Sequence, residues 1–238
     1  MDVPTLKPAL RNLILEALAR DYTSKSCRDS IETGNHYQSL VLGDTRTDGF
    51  RTDRALFLDL IDFKGTRVLD LGSNLGELSR AARNRGADLV DGFEYDAFYL
   101  EIARAVNVLN ETTRVSFYRR DITQSTAYNE RYDIVLAMSV FVYIKDVLAD
   151  IAAILTEGIL VLETHRLDSA FRTIYLDRIL PIFPYYRFLG QTEWGAPHEA
   201  REQRLVLAFA CKEAPLSRYL KSMGRRIGGE ARNASTQS

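Results

Sequence analysis

The sequence predicts an α/β fold in which helices cover both faces of a doubly wound, mostly parallel sheet. Residues 132–138 and 158–165 are apolar runs of the kind that form strands buried on both faces. Between them, residues 147–155 carry apolar side chains at helical spacing. Because strand and helix alternate in this way, we expect parallel strands joined by right-handed crossovers.

The loop after the first strand is the most informative segment. Residues 68–78 have the order of a strand, a tight turn and the start of a helix. Gly72 and Gly76 lie in the turn, and Asn74 stands where a middle glycine is common. Asparagine tolerates the left-handed conformation better than most residues that carry a Cβ, so the turn can still form. Such a loop cradles nucleotide-like ligands, although the same spacing also occurs in turns that bind nothing.

Three successive strands end in carboxylates. Asp70 lies beneath the loop, where it would repel a pyrophosphate but attract an ammonium group. Glu94, 24 residues further on, can accept hydrogen bonds from both hydroxyls of a ribose. Asp121 follows the third strand and can accept from an adenine amino group, with Ile122 against the ring. Each acid alone is more often a turn residue or a helix cap, but together they favour S-adenosylmethionine over a dinucleotide.

These segments resemble the class I S-adenosylmethionine-dependent methyltransferases. The likeness covers about residues 66–165 and rests on residues 70–76, Glu94, 120–122 and 132–140. It implies a seven-stranded Rossmann-like sheet, methyltransferase activity and S-adenosylmethionine as the cofactor. It also implies cofactor contacts beyond the three acids and Ile122; the residues are Gly72, Ser73, Asn74, Gly76, Tyr95, Met138 and Ser139.

A second likeness lies upstream of the sheet. Residues 37–50 are similar to a segment of methyltransferases related to the tRNA wobble-uridine modifying group, with Gln38 and Asp48 as departures from the usual pattern. In that group the segment closes over the cofactor. The resemblance therefore implies cofactor or lid roles for Tyr37, Ser39, Thr47 and Arg51. The alternative is that residues 34–54 form a polar surface loop.

The chain of 238 residues is long enough for one sizeable α/β domain. Two cysteines, Cys27 and Cys211, do not make a disulfide framework or a zinc site. No apolar run reaches the roughly 20 residues of a membrane span, and the first residues lack a signal-peptide pattern. A cytoplasmic location is expected. Residues 212–238 carry a net charge of +4 within a chain of net charge −1, which favours a solvated tail, with RNA phosphate or an acidic membrane surface as alternative partners.

This pattern predicts three parts: an N-terminal helix and lid in residues 1–54, a methyltransferase domain in 55–212, and a basic, flexible tail in 213–238. A helix over residues 4–20 should bury one apolar face on the domain or cover the pocket. That face comprises Leu6, Leu10, Leu13, Ile14, Ala17 and Leu18. A short helix should present Leu56, Phe57, Leu60 and Ile61 before the first strand. Residues 185–194 and 204–211 should form an antiparallel pair that closes the sheet.

The chemistry expected is alignment of a nucleophile with an activated methyl group. A base is needed when the acceptor is a hydroxyl or a protonated amine, and His165, after the fifth strand, is the candidate. A structural histidine is the alternative. Phe141 and Tyr143 are candidates for an apolar wall or for the core. No cluster has metal-ligand spacing, so no metal is expected.

The acceptor is expected to be a small molecule or sugar, such as a natural-product intermediate, methylated at oxygen. An RNA-modifying enzyme, a non-catalytic cofactor-binding partner and, last, a Rossmann oxidoreductase are the alternatives.

Overall fold

The computed structural model describes residues 3–21, 38–47, 49, 51, 53–164, 175–194 and 202–221. Its helices are α1 (Val3–Asp21), α2 (Asp53–Phe57), α3 (Glu77–Asn84), α4 (Ala97–Leu109), α5 (Phe141–Ile144), α6 (Leu148–Ile154), α7 (Asp177–Ile179) and α8 (Glu213–Tyr219), with short 3-10 turns at Leu58–Leu60 and Ser125–Ala127. Its strands are β1 (Leu40–Leu42), β2 (Thr45–Thr47), β3 (Arg67–Leu71), β4 (Leu89–Glu94), β5 (Val115–Arg119), β6 (Ile134–Met138), β7 (Ile159–Glu163), β8 (Tyr185–Trp194) and β9 (Glu202–Ala210).

The central sheet has seven strands in the order β5-β4-β3-β6-β7-β9-β8. Strands β3 to β7 are mutually parallel, and β9 runs antiparallel to β7 and β8. The predicted doubly wound, mostly parallel seven-stranded sheet is confirmed, as is the antiparallel pair at its end. Strand order reverses between β3 and β6, and ligands bind at the carboxyl edge of such a switch point.

The core consists of two apolar layers, one on each face of the sheet. Successive side chains of a strand point to opposite faces, so Leu69 and Leu71 belong to the layer under α5 and α6 while Val68 belongs to the other. In that second layer Leu78 of α3 and Leu100 of α4 pack on the sheet. Burial of both faces explains why the strands are almost continuously apolar.

Helix α1 packs against α4 and the β1–β2 hairpin. Of the two predicted alternatives, packing on the domain or covering the pocket, this is the first. Ile14 and Leu18 are buried in this third apolar cluster with Leu40 and Leu42. The expectation for Leu13 is wrong, because its side chain is 61% exposed on the outer side of the helix. The hairpin was also not expected, since residues 37–50 were interpreted as a lid segment or a polar surface loop.

The folded part of the chain continues past the expected boundary at residue 212. Helix α8 buries Leu216 and Tyr219 against the sheet, and the Tyr219 hydroxyl donates to Asp133 Oδ1 at 3.0 Å. Leu56, expected on a buried face, is 67% exposed. In the part of the chain that the structure describes, no helix is long and apolar enough to cross a membrane.

Candidate functional site

Three residues of the loop between β3 and α3 adopt left-handed backbone conformations. Gly72, Asn74 and Gly76 have φ values of 67°, 51° and 80°, so the predicted left-handed conformation of Asn74 is confirmed. A Cβ on Gly72 would lie 2.7 Å from a methyl group of Val140, which only glycine avoids. The backbone N–H groups of Gly72 and Ser73 both donate to the carbonyl of Phe93, at 2.9 and 3.0 Å. The loop is thereby tied to the end of β4.

Asp70 is a buried carboxylate at the carboxyl end of β3. Its side chain is 2% exposed, and its Oδ2 accepts a hydrogen bond of 2.6 Å from the Ser79 hydroxyl. Burial raises the pKa of Asp70 to about 6, and the nearby charge of Glu94 adds to the rise, while Ser79 and Arg54 oppose it. The carboxylate is therefore ionised at neutral pH but poorly solvated, which suits a cationic ligand.

Glu94 holds the tip of β4 against the loop. Its two carboxylate oxygens accept from the backbone N–H groups of Asn74, at 2.8 Å, and Asp96, at 2.9 Å. Burial raises the pKa of Glu94, and these backbone hydrogen bonds oppose the rise. Each carboxylate oxygen can accept a second hydrogen bond, so Glu94 retains the capacity to bind a diol.

The third carboxylate lies in the turn after β5. Asp121 Oδ1 accepts from the Thr123 N–H at 3.0 Å and from its hydroxyl at 2.7 Å, and these bonds lower the pKa of Asp121. Ile122 beside it is 9% exposed. An ionised acceptor therefore stands next to an apolar side chain, an arrangement that fits an aromatic base with an amino group.

A buried ion cluster lies beyond β6, at the end of β7. Glu163 is fully buried, and its carboxylate binds Arg51, Arg54 at 2.7 Å, Ser139 and Thr192 at 2.6 Å. Burial works against ionisation of Glu163, but the two arginines and the two hydroxyls outweigh it and lower its pKa to about 2. Glu163 is thus a fixed anion and not a proton acceptor at neutral pH.

The upstream segment docks on the β3–α3 loop through Gln38. This side chain is 4% exposed; it donates to the carbonyl of Ser73 at 3.4 Å and accepts from the N–H of Glu77 at 3.2 Å. Ser39 is also buried, and its hydroxyl accepts from the N–H of Gly49 at 3.0 Å. For these residues the alternative of a polar surface loop is wrong.

A cavity of about 650 Å³ lies above the carboxyl ends of β3, β4 and β6. Nine of the expected site residues line it: Asp70, Gly72, Asn74, Glu94, Tyr95, Asp121, Ile122, Met138 and Ser139. Ser73 and Gly76 shape the loop below it. Ser39 supports the hairpin, as does Thr47, whose hydroxyl accepts from the Leu40 N–H at 3.1 Å.

The remaining expectations have different outcomes. Arg51 is not one of the described residues that line the cavity, because its guanidinium is directed at Glu163 instead. Tyr37 and His165 lie outside the described residues. Of the two candidate wall residues, Tyr143 lines the cavity and is 57% exposed, whereas Phe141 is fully buried in the core.

Sequence reasoning missed several residues that line the cavity. Arg54 and Arg204 come from α2 and β9, which are distant in sequence from the recognisable motifs, so no local signal marked them. Gln38 was noted only as a departure from a pattern. Within the described ranges, no group of three or more His, Cys, Asp or Glu side chains has the arrangement of a metal site.

Comparison with known proteins agrees with this geometry. Residues 45–204 match a family model described as "Methyltransferase domain". The chain is 34% identical over 97 residues to "Ribosomal protein L11 methyltransferase" of Dictyoglomus turgidum (strain DSM 6724 / Z-1310). The match covers 40% of this chain and 31% of that protein, so it spans less than a third of the relative's length.

Solved structures share the fold at low sequence identity. One is the bifunctional kinase-methyltransferase WbdD, with a TM-score of 0.55 and 18% identity over 67% of this chain and 39% of that one. Another is EvdMO1, with a TM-score of 0.56 and 19% identity over 77% of this chain and 46% of that one. At these identities the likeness concerns the fold of the domain alone.

Proposed function

The chain belongs to the methyltransferase domain family, whose model covers residues 45–204, and from this premise we propose that it transfers a methyl group from S-adenosylmethionine to a small-molecule or sugar acceptor, at oxygen. The observation that carries the proposal is Asp70, a buried carboxylate at the switch point of the sheet with a pKa of about 6. A cationic ligand offsets the cost of ionising it there.

The residues around the cavity fit the cofactor part by part. Asp70 attracts the ammonium group, and Glu94 accepts hydrogen bonds from the ribose hydroxyls with its second lone pairs. Asp121 accepts from the adenine amino group, and Ile122 packs against the ring. These assignments follow the strand order, since β3, β4 and β5 are adjacent and all end at the same edge.

When bound, the cofactor supplies an electrophilic sulfonium methyl group, so the task of the protein is to align and desolvate the acceptor. Met138 is 5% exposed and Val140 8% exposed at the end of β6, where they form an apolar part of the cavity wall. Tyr143 adds an aromatic ring at the exposed side. An apolar wall excludes water and flanks a flat or sugar-like acceptor.

A hydroxyl acceptor must lose its proton during the transfer. His165 follows β7 in sequence and remains our candidate for the base. Substitution of His165 by Ala is expected to lower turnover without lowering cofactor affinity. Unchanged turnover would remove His165 as the base.

An RNA acceptor is the second candidate function. The observation that favours it is that the segment around Gln38 docks on the cofactor loop, because residues 37–50 resemble a segment that closes over the cofactor in tRNA-modifying enzymes, although Gln38 itself departs from that pattern. The cavity of about 650 Å³ supports a small acceptor instead, since it must hold the cofactor together with the reacting part of the acceptor.

Calorimetric titration tests the proposal. We expect S-adenosylmethionine and S-adenosylhomocysteine to bind and NAD not to bind. Release of S-adenosylhomocysteine is then followed with sugars, phenols and a tRNA pool as acceptors. Failure of both sulfur compounds to bind would contradict the cofactor assignment, and turnover with tRNA alone would favour the second candidate. Binding without turnover on any acceptor would favour a non-catalytic partner.

A further inference from the structure

The charge lining the cavity changes sign along the carboxyl edge of the sheet. On the side of β5, β4 and β3 the lining residues include four acids, Asp121, Asp96, Glu94 and Asp70, against one arginine, Arg120. On the other side of β6 they include Arg54 and Arg204. Arg204 reaches this edge because β9 is antiparallel to β7, with Val206 of β9 opposite the last residue of β7.

The two arginines converge on one oxygen atom. Arg54 Nη2 donates to the Ser139 hydroxyl at 2.6 Å, and Arg204 Nη1 donates to the same atom at 2.7 Å. Both arginines are buried, with 3% and 6% of their surface exposed. Two guanidinium groups this close together repel each other, and Glu163, which binds Arg54 and the same Ser139 hydroxyl, offsets part of that repulsion. A second anion on the cavity side of the pair relieves it further.

The cluster also fixes the orientation of the arginines. Glu163 holds Arg54 from beneath, at 2.7 Å, and Ser139 adopts a left-handed φ of 62° that brings its hydroxyl between the two side chains. A guanidinium presents five N–H donors in a rigid plane, so an arginine bound to one acceptor can bind a second. Cations that are already positioned lose little entropy when an anion binds.

We propose that Arg54 and Arg204 bind an anionic group of the acceptor, a carboxylate or a phosphate, and so hold its nucleophilic atom over the end of β6. This rests on the proposed function. Planar guanidinium forks match the oxygens of both groups. The acids assigned to the ammonium, ribose and adenine of the cofactor lie on one side of β6, and the two arginines lie on the other side. The arginine side is therefore the part of the cavity assigned to the acceptor.

Wild-type protein provides the first test. It is saturated with S-adenosylhomocysteine and titrated calorimetrically with inorganic pyrophosphate and, separately, with malonate. We expect at least one probe to bind to the saturated protein. The proposal is wrong if neither probe binds, or if a probe binds only in the absence of S-adenosylhomocysteine, because the arginines then hold the cofactor's own carboxylate.

Variants of Arg204 provide the second test. Arg204→Gln should weaken probe binding about tenfold or more and change S-adenosylhomocysteine affinity less than about twofold. Arg204→Lys, which keeps the charge but not the fork, should give an intermediate loss and serves if the glutamine variant does not fold. Arg67→Gln is the matched control, because Arg67 pairs with Asp91 at 3.1 Å at the opposite edge of the sheet; it should leave probe binding unchanged.

The outcomes separate this proposal from the proposed function. Equal probe affinity in wild type, Arg204→Gln and Arg204→Lys would overturn the anion site while leaving cofactor binding intact. Loss of affinity for S-adenosylhomocysteine but not for 5′-methylthioadenosine, which lacks the carboxylate, would reassign Arg204 to the cofactor. Failure of wild-type protein to bind S-adenosylhomocysteine would instead count against the proposed function.

Discussion

The hydroxyl of Ser79 donates a hydrogen bond of 2.6 Å to the carboxylate of Asp70, and both side chains are buried. Ser79 belongs to the first turns of α3 and Asp70 to the end of β3, so this bond joins the strand to the helix across the loop. It leaves a negative charge in a site where burial raises the pKa to about 6. Asp70 therefore opposes folding of the free protein while it is ionised.

Asp70→Asn should stabilise the free protein and abolish cofactor binding. An amide oxygen still accepts from Ser79, and the cost of burying the charge disappears. Raising the pKa of Asp70 from its ordinary 3.8 to about 6 corresponds to about 3 kcal/mol, so a gain of about 1–3 kcal/mol in the free energy of unfolding is expected at pH 7–8. Urea unfolding and calorimetric titration measure the two effects.

Asp91→Asn is the matched control for that substitution. Asp91 is equally buried, at 4% exposure, but it is paired with Arg67 at 3.1 Å and accepts from the Tyr132 hydroxyl at 3.0 Å. Removing its charge should destabilise the protein and leave cofactor affinity unchanged. If Asp70→Asn destabilised the protein as much as Asp91→Asn does, the conclusion that the Asp70 charge opposes folding would be contradicted.

Cofactor affinity should fall as the pH is lowered through about 6. The pKa of Asp70 is about 6, and only the ionised form attracts an ammonium group, so affinity is constant above that pH and decreases below it. Burial also raises the pKa of Glu77, at the start of α3, to about 7. Titrations from pH 8 to 5 with Glu77→Gln as control separate the two groups. A profile in Glu77→Gln that no longer depends on pH would assign the effect to Glu77 instead.

Glu163→Gln should lower the free energy of unfolding by about 3–5 kcal/mol, because it leaves buried arginines without their shared carboxylate. The pKa of Glu163 is about 2, below its ordinary 4.5. Its stabilisation is therefore complete above pH 4.5 and lost as the pH falls towards 2. Between pH 4.5 and 2, the free energy of unfolding of the variant should therefore depend less steeply on pH than that of the wild type.

Thr192→Val is the milder comparison for Glu163→Gln. It removes one hydrogen bond of 2.6 Å to the same carboxylate and keeps all the charges. A loss of about 1–2 kcal/mol is expected. If Glu163→Gln were as stable as wild type in urea unfolding, the bonds from Glu163 to Arg54 of α2 and Thr192 of β8 would not stabilise the fold as predicted.

Local patterns, together with the family resemblance, predicted much of the fold and pointed to about half of the residues that line the cavity. Asp70 and Glu94 were found because an acid ends each buried strand, and parallel strands end at one edge of the sheet. Asn74 was assigned a left-handed conformation from its residue type alone. The position of the two acids and the conformation of Asn74 could be predicted because the relevant physics acts over a few neighbouring residues.

Features that depend on distant contacts were not predicted. Arg54 and Arg204 meet at Ser139 although 150 positions separate them in the chain. Leu13 and Leu56 fit apolar helical stripes, but each lies on the outer side of its helix, where nothing covers it among the residues described. Periodicity gives the spacing of a face, and only the packed structure decides which neighbours cover it.

Gln38→Ala should weaken cofactor binding more than it weakens the fold. Gln38 bridges the hairpin segment to the carbonyl of Ser73 and the N–H of Glu77, so its loss loosens the loop beneath the cofactor. We expect a decrease of about 1–2 kcal/mol in stability and about a tenfold decrease in cofactor affinity. Thermal unfolding and calorimetric titration with S-adenosylhomocysteine measure both.

Asn110→Ala shows whether the position of the bridge matters. Asn110 also makes two hydrogen bonds to the hairpin, to the carbonyl of Val41 at 2.6 Å and from the N–H of Gly43 at 2.9 Å, but at the end away from the cavity. Asn110→Ala should lower the free energy of unfolding by about as much as Gln38→Ala and leave cofactor affinity unchanged. Equal losses of affinity in the two variants would mean that the whole hairpin, and not Gln38, organises the loop.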